Sequence, residues 1–237
     1  MEPHDTAAGQ PSPTGRRIAL AGATGLVGRE LLRLLLDDPT VEVVHAFGRR
    51  APGIEHPKLL AHVVDFAALS PLPPVDEVYL ALGTTIKVAG NQPAFRAVDV
   101  EANLAMARAA VAAGARRVGL VSAMGADARS RVFYNRCKGE LEDALKSLKL
   151  EALVVARPSL LVGERSALGQ PPRAGERIGQ FLSPLLSRIL PANLRPIRAQ
   201  DVARALALRT PRVQGAEVLA SGDLARLARH PVELTSR

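Results

Sequence analysis

Cysteine is nearly absent from this chain of 237 residues: Cys137 stands alone. That excludes an internal disulfide and, with five histidines scattered at no ligand spacing, leaves no Cys/His metal site to expect. A reducing cytoplasm is the expected compartment. Aromatic residues make up only 3% of the chain against an apolar fraction of 47%, so the core must be packed from Ala, Leu and Val. No run of about 18 apolar residues occurs, so no membrane-spanning helix is expected. Internal repeats and blocks of one charge are also missing. The net charge of +8 comes from scattered arginines, which suits an anionic ligand and gives no reason to expect a nucleic-acid partner. Residues 1–15 hold two acids, three prolines and no apolar centre. They read as a disordered tail and carry no export signal.

What is present is an alternation. Short apolar runs, "RRIALAG", "VEVVHAF", "LLAHVVDF", "EVYLAL", "RRVGLVSA" and "EALVVARP", read as six buried strands. Helical patterns lie between them: one after Leu26 that Asp37, Asp38 and Pro39 stop, one over 93–113 that Gly114 ends, and one over 132–148. Strands alternating with helices predict an α/β fold, a single-domain Rossmann-like doubly wound parallel sheet over 16–237, with its ligand beyond the carboxyl ends of the strands. Substrate-side elements are expected at about 163–200. There a Gly- and Pro-rich loop, 163–177, precedes a helix over 178–190 whose apolar stripe Pro184 should bend. The helix reads as docked on the core, with a substrate lid or membrane-surface helix as the alternative. "DVARALALR" and "GAEVLASG" read as small elements completing the same domain.

The stretch "LAGATGLVGRELLRLLL" places Gly22, Gly25 and Gly28 between the first strand and the first helix. Without a β-carbon the turn tightens, a pyrophosphate can approach the backbone, and the helix packs close to the sheet. The helix N-terminus then turns its amides toward the phosphates. At the end of the second strand, where an acid would hold an NAD ribose hydroxyl, the chain reads Gly48, Arg49, Arg50. Two guanidiniums there suit a 2′-phosphate, so NADP(H) is favoured over NAD(H); the alternative is a pair of solvated surface arginines. Asp65 and Phe66, ending the third strand, are placed to edge the adenine.

Tyr134 and Lys138 stand four apart at the start of a helix and so share a face. A phenol is too weak an acid for neutral-pH chemistry unless a cation favours the phenolate. Ser122, at the end of strand five, can hydrogen-bond a substrate carbonyl beside the tyrosine. Cys137, facing away from Tyr134, reads as a packed residue, and His45 as a residue at the core's edge.

These motifs resemble the atypical branch of the short-chain dehydrogenase/reductase superfamily. The longer strings "ALGTT…AG…VD…N", running to Asn103, "VSAMGAD" and "FYNRCKGELE" are similar to the Tat-interacting-protein-like oxidoreductases and their NAD(P)-dependent epimerase-like relatives. The resemblance covers roughly residues 16 to 210. It implies that Gly22, Thr24, Gly25, Leu26, Val27 and Gly28 line the pyrophosphate, and that Leu82, Gly83 and Thr84 run along the cofactor. It implies Tyr134 as general acid/base, Lys138 as the group that lowers the phenol's pKa and holds the nicotinamide ribose, and Ser122 as the donor polarising the carbonyl. Asn103 would support a relay water, and Pro158 and Leu160 would meet the nicotinamide. The group's second serine after strand five is Ala123 here.

The expected activity is an NADP(H)-dependent oxidoreductase acting on a small carbonyl or alcohol. The alternatives are a nucleotide-sugar epimerase-like isomerase and a non-catalytic NADP(H)-sensing binding protein; no metal is expected, and the assembly is a monomer or a dimer.

Overall fold

The computed structural model describes residues 15–162 and 191–229. The expected tail up to residue 14, the loop over 163–177 and the helix over 178–190 lie outside them. The first six strands follow the six apolar runs: β1 (Arg16–Ala21), β2 (Val41–Gly48), β3 (Leu59–Val63), β4 (Glu77–Leu80), β5 (Arg117–Val121) and β6 (Ala152–Arg157). A short pair, β7 (Leu161–Val162) and β8 (Ile197–Arg198), sits beside the main sheet. The last strand, β9 (Gly215–Ala220), pairs with β6. Every pairing in the main sheet is parallel, and its order is β3-β2-β1-β4-β5-β6-β9. The doubly wound sheet expected from the sequence is therefore present. "GAEVLA", read as a minor element, is its seventh strand.

Period-two alternation sends successive residues of β1 to opposite faces. Ile18 and Leu20 pack with Leu31 and Leu35 of helix α1 (Leu26–Asp37), Val202 and Leu206 of α6 (Ala199–Arg209) and Leu224 of α7 (Ser221–Arg229). Ala19 and Ala21 face Met106 of α4 (Asn103–Ala112) and Leu141 and Leu145 of α5 (Phe133–Lys146). Both faces are covered, so the strands are apolar on both sides. Each such fully buried Leu contributes about 1.5–3 kcal/mol. Small residues keep the layers close: a β-carbon on Gly119 would stand 2.8 Å from the Tyr79 ring on the neighbouring strand.

The helix expected over 93–113 is not uniform. Two short helices, α2 (Ile86–Ala89) and α3 (Gln92–Arg96), lead into a π-helical segment over Ala97–Ala102 that continues as α4. A π segment holds one more residue per turn than an α-helix and so re-aims the side chains around it. Here the re-aimed residues are Asp99 and Asn103, both buried.

In the sheet, β1 lies between β2 and β4, so connections leave it in opposite directions. The crevice this opens at the carboxyl ends of β1 and β4 is where ligands sit in folds of this class.

Candidate active site

Three glycines build the floor of that crevice. Gly22 has φ +88°, and a β-carbon there would lie 2.6 Å from the carbonyl oxygen of Ala81 on the adjacent connection. Gly28, inside the first turn of α1, is tighter: its β-carbon would lie 2.0 Å from Gly22 O. Gly25 is the N-cap of α1, without a side-chain cap and with no acid in the first turn. The first amides of a helix have no partner within it. The positive end of α1 thus opens on a cradle that a β-carbon would fill, and this fits a dinucleotide pyrophosphate.

One cavity extends from this turn. Gly25, Leu26 and Val27 form one wall, Leu82, Gly83 and Thr84 after β4 form another, and Ser122, Tyr134 and Lys138 close it. Sequence-predicted residues from four separate stretches thus meet in one place. Helix α5 brings its two close because it lies directly on the loop after β5. A β-carbon on Gly139 would stand 2.1 Å from the amide nitrogen of Ala128. Asp127 N–H donates to the carbonyl of Asn135 at 3.1 Å.

Two carboxylates that the linear motifs did not single out stand behind these groups. Lys138 Nζ lies 2.7 Å from Asp99 Oδ1, with both side chains buried. The other oxygen of Asp99 accepts the amide of Thr84 at 2.8 Å, so one carboxylate ties the lysine to the cofactor-side loop. Ser122 Oγ lies 2.5 Å from Glu142 Oε1. Arg157 clamps that same carboxylate with Nε at 3.0 Å and Nη2 at 2.6 Å. Glu142 is fully buried, and a carboxylate gripped by a guanidinium fork presents acceptor oxygens. Ser122 is therefore the donor in this bond. Its hydroxyl faces the cavity with lone pairs, not with the proton expected to polarise a carbonyl.

The remaining members differ. Among the described residues the Tyr134 hydroxyl has no hydrogen-bond partner. Its ring lies 5.7 Å from that of Phe95, tilted by 56°. Asn103 is fully buried and does not line the cavity; its amide nitrogen donates to the carbonyls of Leu82, Val98 and Asp99 at 3.1–3.3 Å. Asn103 Oδ1 is buried with no partner. Leu161, with Ala81 and Val121, lines the cavity where Pro158 and Leu160 were expected. The backbone explains the shift, since the carbonyl of Pro158 accepts Met124 N–H and that of Leu160 accepts Ile197 N–H.

At the end of β2, Arg49 and Arg50 are exposed, and neither forms an ion pair with a described residue. Asp65 is exposed and accepts Ala67 N–H at 2.9 Å, while Phe66 is half-buried against the core. Cys137 is fully buried, and burial pushes its thiol up, as a packed residue would have it.

Residues 17–134 match the family model of the semialdehyde dehydrogenase NAD-binding domain. The chain is similar to "Protein fmp52, mitochondrial" of Emericella nidulans, 33% identical over 182 residues, which are 73% of this chain and 76% of that protein. The protein of the same name in Aspergillus fumigatus is 35% identical over 201 residues, covering 79% and 84%. Among solved structures, MoeE5 in complex with UDP-glucose and NAD superposes with a TM-score of 0.65 at 18% identity, covering 91% of this chain and 82% of that one. A UDP-N-acetylglucosamine 4-epimerase from Methanobrevibacter ruminantium M1 gives 0.66 at 18%, covering 91% and 81%. At such identities these likenesses bear on the fold. The curated relatives are named mitochondrial, which overturns the cytoplasmic placement expected above. A lone cysteine and the lack of a disulfide suit a mitochondrial protein equally well.

Proposed function

The chain belongs to the family of the Fmp52 proteins, and on that premise we propose that it is an NADP(H)-dependent oxidoreductase acting on a carbonyl or alcohol substrate. The observation that carries this reading is the single cavity in which Tyr134, Lys138 and Ser122 face the capless, glycine-lined end of α1. A sensor needs only the nucleotide cradle; a phenol with an uncommitted hydroxyl beside a buried lysine supports chemistry.

The bound nicotinamide would supply or take the hydride. Tyr134 would hold the proton at its phenol oxygen, giving it to the substrate oxygen in reduction and taking it in oxidation. Lys138, kept in place by Asp99, would present its ammonium to the cofactor ribose. Thr24, Leu26 and Val27 would meet the pyrophosphate, Asp65 and Phe66 the adenine, and Arg49 and Arg50 the 2′-phosphate. Asn103 would support a water through its unpartnered oxygen. The likeness of the longer motifs to the Tat-interacting-protein-like oxidoreductases points the same way.

The test is cofactor oxidation across a panel of carbonyls with wild type and Tyr134→Phe side by side. Turnover should fall by about 10²–10⁴, as when a positioned acid is lost, with NADPH affinity unchanged. Equal turnover in the two chains refutes the assignment. No turnover with any carbonyl while NADPH binds well gives the lead to a sensor. A second reading, a nucleotide-sugar isomerase, draws on the UDP-sugar complexes among the fold neighbours. It requires UDP-glucose to be epimerised with no net change in cofactor.

A further inference from the structure

Ser122 cannot be the carbonyl donor that the resemblance implies while its proton is held by Glu142. We propose that Glu142 is a positioning residue that fixes Ser122 as an acceptor, and that the site accordingly takes a carbonyl compound bearing a hydroxyl next to its reacting carbon. The inference rests on the hydride-transfer reading above and names the substrate class for that site.

Glu142 Oε1 receives both Ser122 Oγ at 2.5 Å and Arg157 Nε at 3.0 Å, and Oε2 receives Arg157 Nη2 at 2.6 Å. A hydroxyl has one hydrogen to give. With that hydrogen committed, a bare carbonyl oxygen placed against Ser122 Oγ would set acceptor against acceptor. A substrate hydroxyl there would donate to it. The group that Tyr134 protonates is then the carbonyl itself, and Ser122 reads its neighbour. Helix geometry supports the division: Tyr134, Lys138 and Glu142 stand at i, i+4 and i+8 on one face of α5. Glu142 lies one turn deeper than Lys138, with its side chain 1% exposed. Arg157 reaches Glu142 from β6 and is the partly exposed member of the cluster, at 31%.

Two measurements test this. The first needs no turnover. Ser122→Cys, made in a Cys137→Ala background, puts a titratable thiol where the hydroxyl was, and its alkylation by iodoacetamide is followed against pH. Asp99, Tyr134 and Lys138 share the cavity with position 122; on the other side Glu142 is flanked by the carboxylates Asp127 and Asp143 and the cations Arg129, Lys146 and Arg157. With Glu142 present the thiol should react slowly at neutral pH. Glu142→Gln should speed alkylation tenfold or more, and Asp143→Asn should leave it unchanged. Equal rates with and without the Glu142→Gln substitution overturn the positioning role. Should Glu142→Gln alone fail to fold, Glu142→Gln with Arg157→Gln keeps the cluster neutral and gives the same comparison.

The second compares 3-hydroxy-2-butanone with 3-methoxy-2-butanone as NADPH-linked probes. Wild type should prefer the hydroxy compound by roughly tenfold to a hundredfold in kcat/KM, the range of one hydrogen bond to a well-held acceptor. Ser122→Ala and Glu142→Gln should each abolish the preference, and their combination should do no more than Ser122→Ala alone. A preference that survives either substitution, or additive losses, overturns the substrate class. If neither compound oxidises NADPH, the hydride-transfer reading fails for these ketones, and the alkylation rates alone decide the part assigned to Glu142.

Discussion

Lys138→Met should unfold this protein more readily than a surface lysine would, because it strands Asp99. The carboxylate is 1% exposed and the ammonium 5%, so neither charge can recover solvation when its partner is removed. Breaking a buried pair from one side costs about 3–5 kcal/mol. Asp99→Asn instead takes the carboxylate's charge away from the buried ammonium and should also destabilise, while its amide oxygen can still accept Thr84 N–H. The paired replacement, Lys138→Met with Asp99→Leu, removes both charges. It leaves the Thr84 amide without its acceptor, which costs about 1–3 kcal/mol. The double variant should therefore be no worse than Lys138→Met alone, although it carries twice the change. At this chain length 1 kcal/mol moves Tm by about 2–4 °C, so Lys138→Met should melt roughly 6–20 °C lower. Urea titration is the assay, with the midpoint falling and the slope unchanged. A double variant clearly less stable than Lys138→Met would refute the argument, as would Lys138→Met within about 1 kcal/mol of wild type.

Other outcomes rest on the same geometry. Gly28→Ala forces a methyl to within 2.0 Å of the Gly22 carbonyl oxygen; backbone must move, so stability should drop by about 3 kcal/mol or more and NADPH binding should weaken, both measurable by calorimetry. Arg49→Ala with Arg50→Ala should remove a preference for NADPH over NADH; each guanidinium contact is worth about 1.5–3 kcal/mol, and equal wild-type affinities for the two nucleotides would end that reading. His45 Nδ1 and His62 Nε2 lie 3.0 Å apart. Burial holds both imidazoles below their usual range, and for His45 the neighbouring His62 adds to it. An unfolded chain takes up these protons first, near pH 6.5. Their contribution is thus present above about pH 6.5 and lost as pH falls below it toward the folded values. Urea midpoints between pH 5 and pH 8 should show that decline, and His45→Gln with His62→Gln should flatten it.

Much of the frame was legible because the strands are short, apolar and separated by residues that stop helices. "VEVVHAF" and "EALVVARP" hold buried strands whose neighbours are set by parallel crossover connections. The seventh strand was not legible for a physical reason. β9 is an edge strand, with Ala216 and Val218 exposed and Leu219 buried, so the alternation that marks a half-covered strand is broken by small and polar residues. The π segment was invisible for another reason. One inserted residue rotates the helix before it by about 100° relative to the helix after it. A window read at 3.6 residues per turn averages that rotation away, and Asp99 looks like a solvated acid.

The site shows the same division. Groups that touch a ligand come with linear signals: glycines between strand and helix, a tyrosine and lysine four apart, a serine ending a strand. The groups that hold them do not. Glu142 was within reach of sequence reasoning, since it continues the Tyr134–Lys138 stripe by one more turn. An acid four residues after a lysine nonetheless reads as an exposed helix pair, and only the fold reveals that both are buried and paired elsewhere. Asp99 holds Lys138, Glu142 holds Ser122, and the Tyr134 hydroxyl is left uncommitted among the described residues. Fixed groups cost no reorganisation when a charge develops beside them, whereas the group that carries the proton has to be free to lose and regain it. On the proposed reaction, then, the two silent carboxylates make the tyrosine the mobile member of the site: removing Glu142 should affect which oxygen the tyrosine can reach before it affects nucleotide binding, whereas removing Asp99, which holds the lysine meant for the ribose, should affect both.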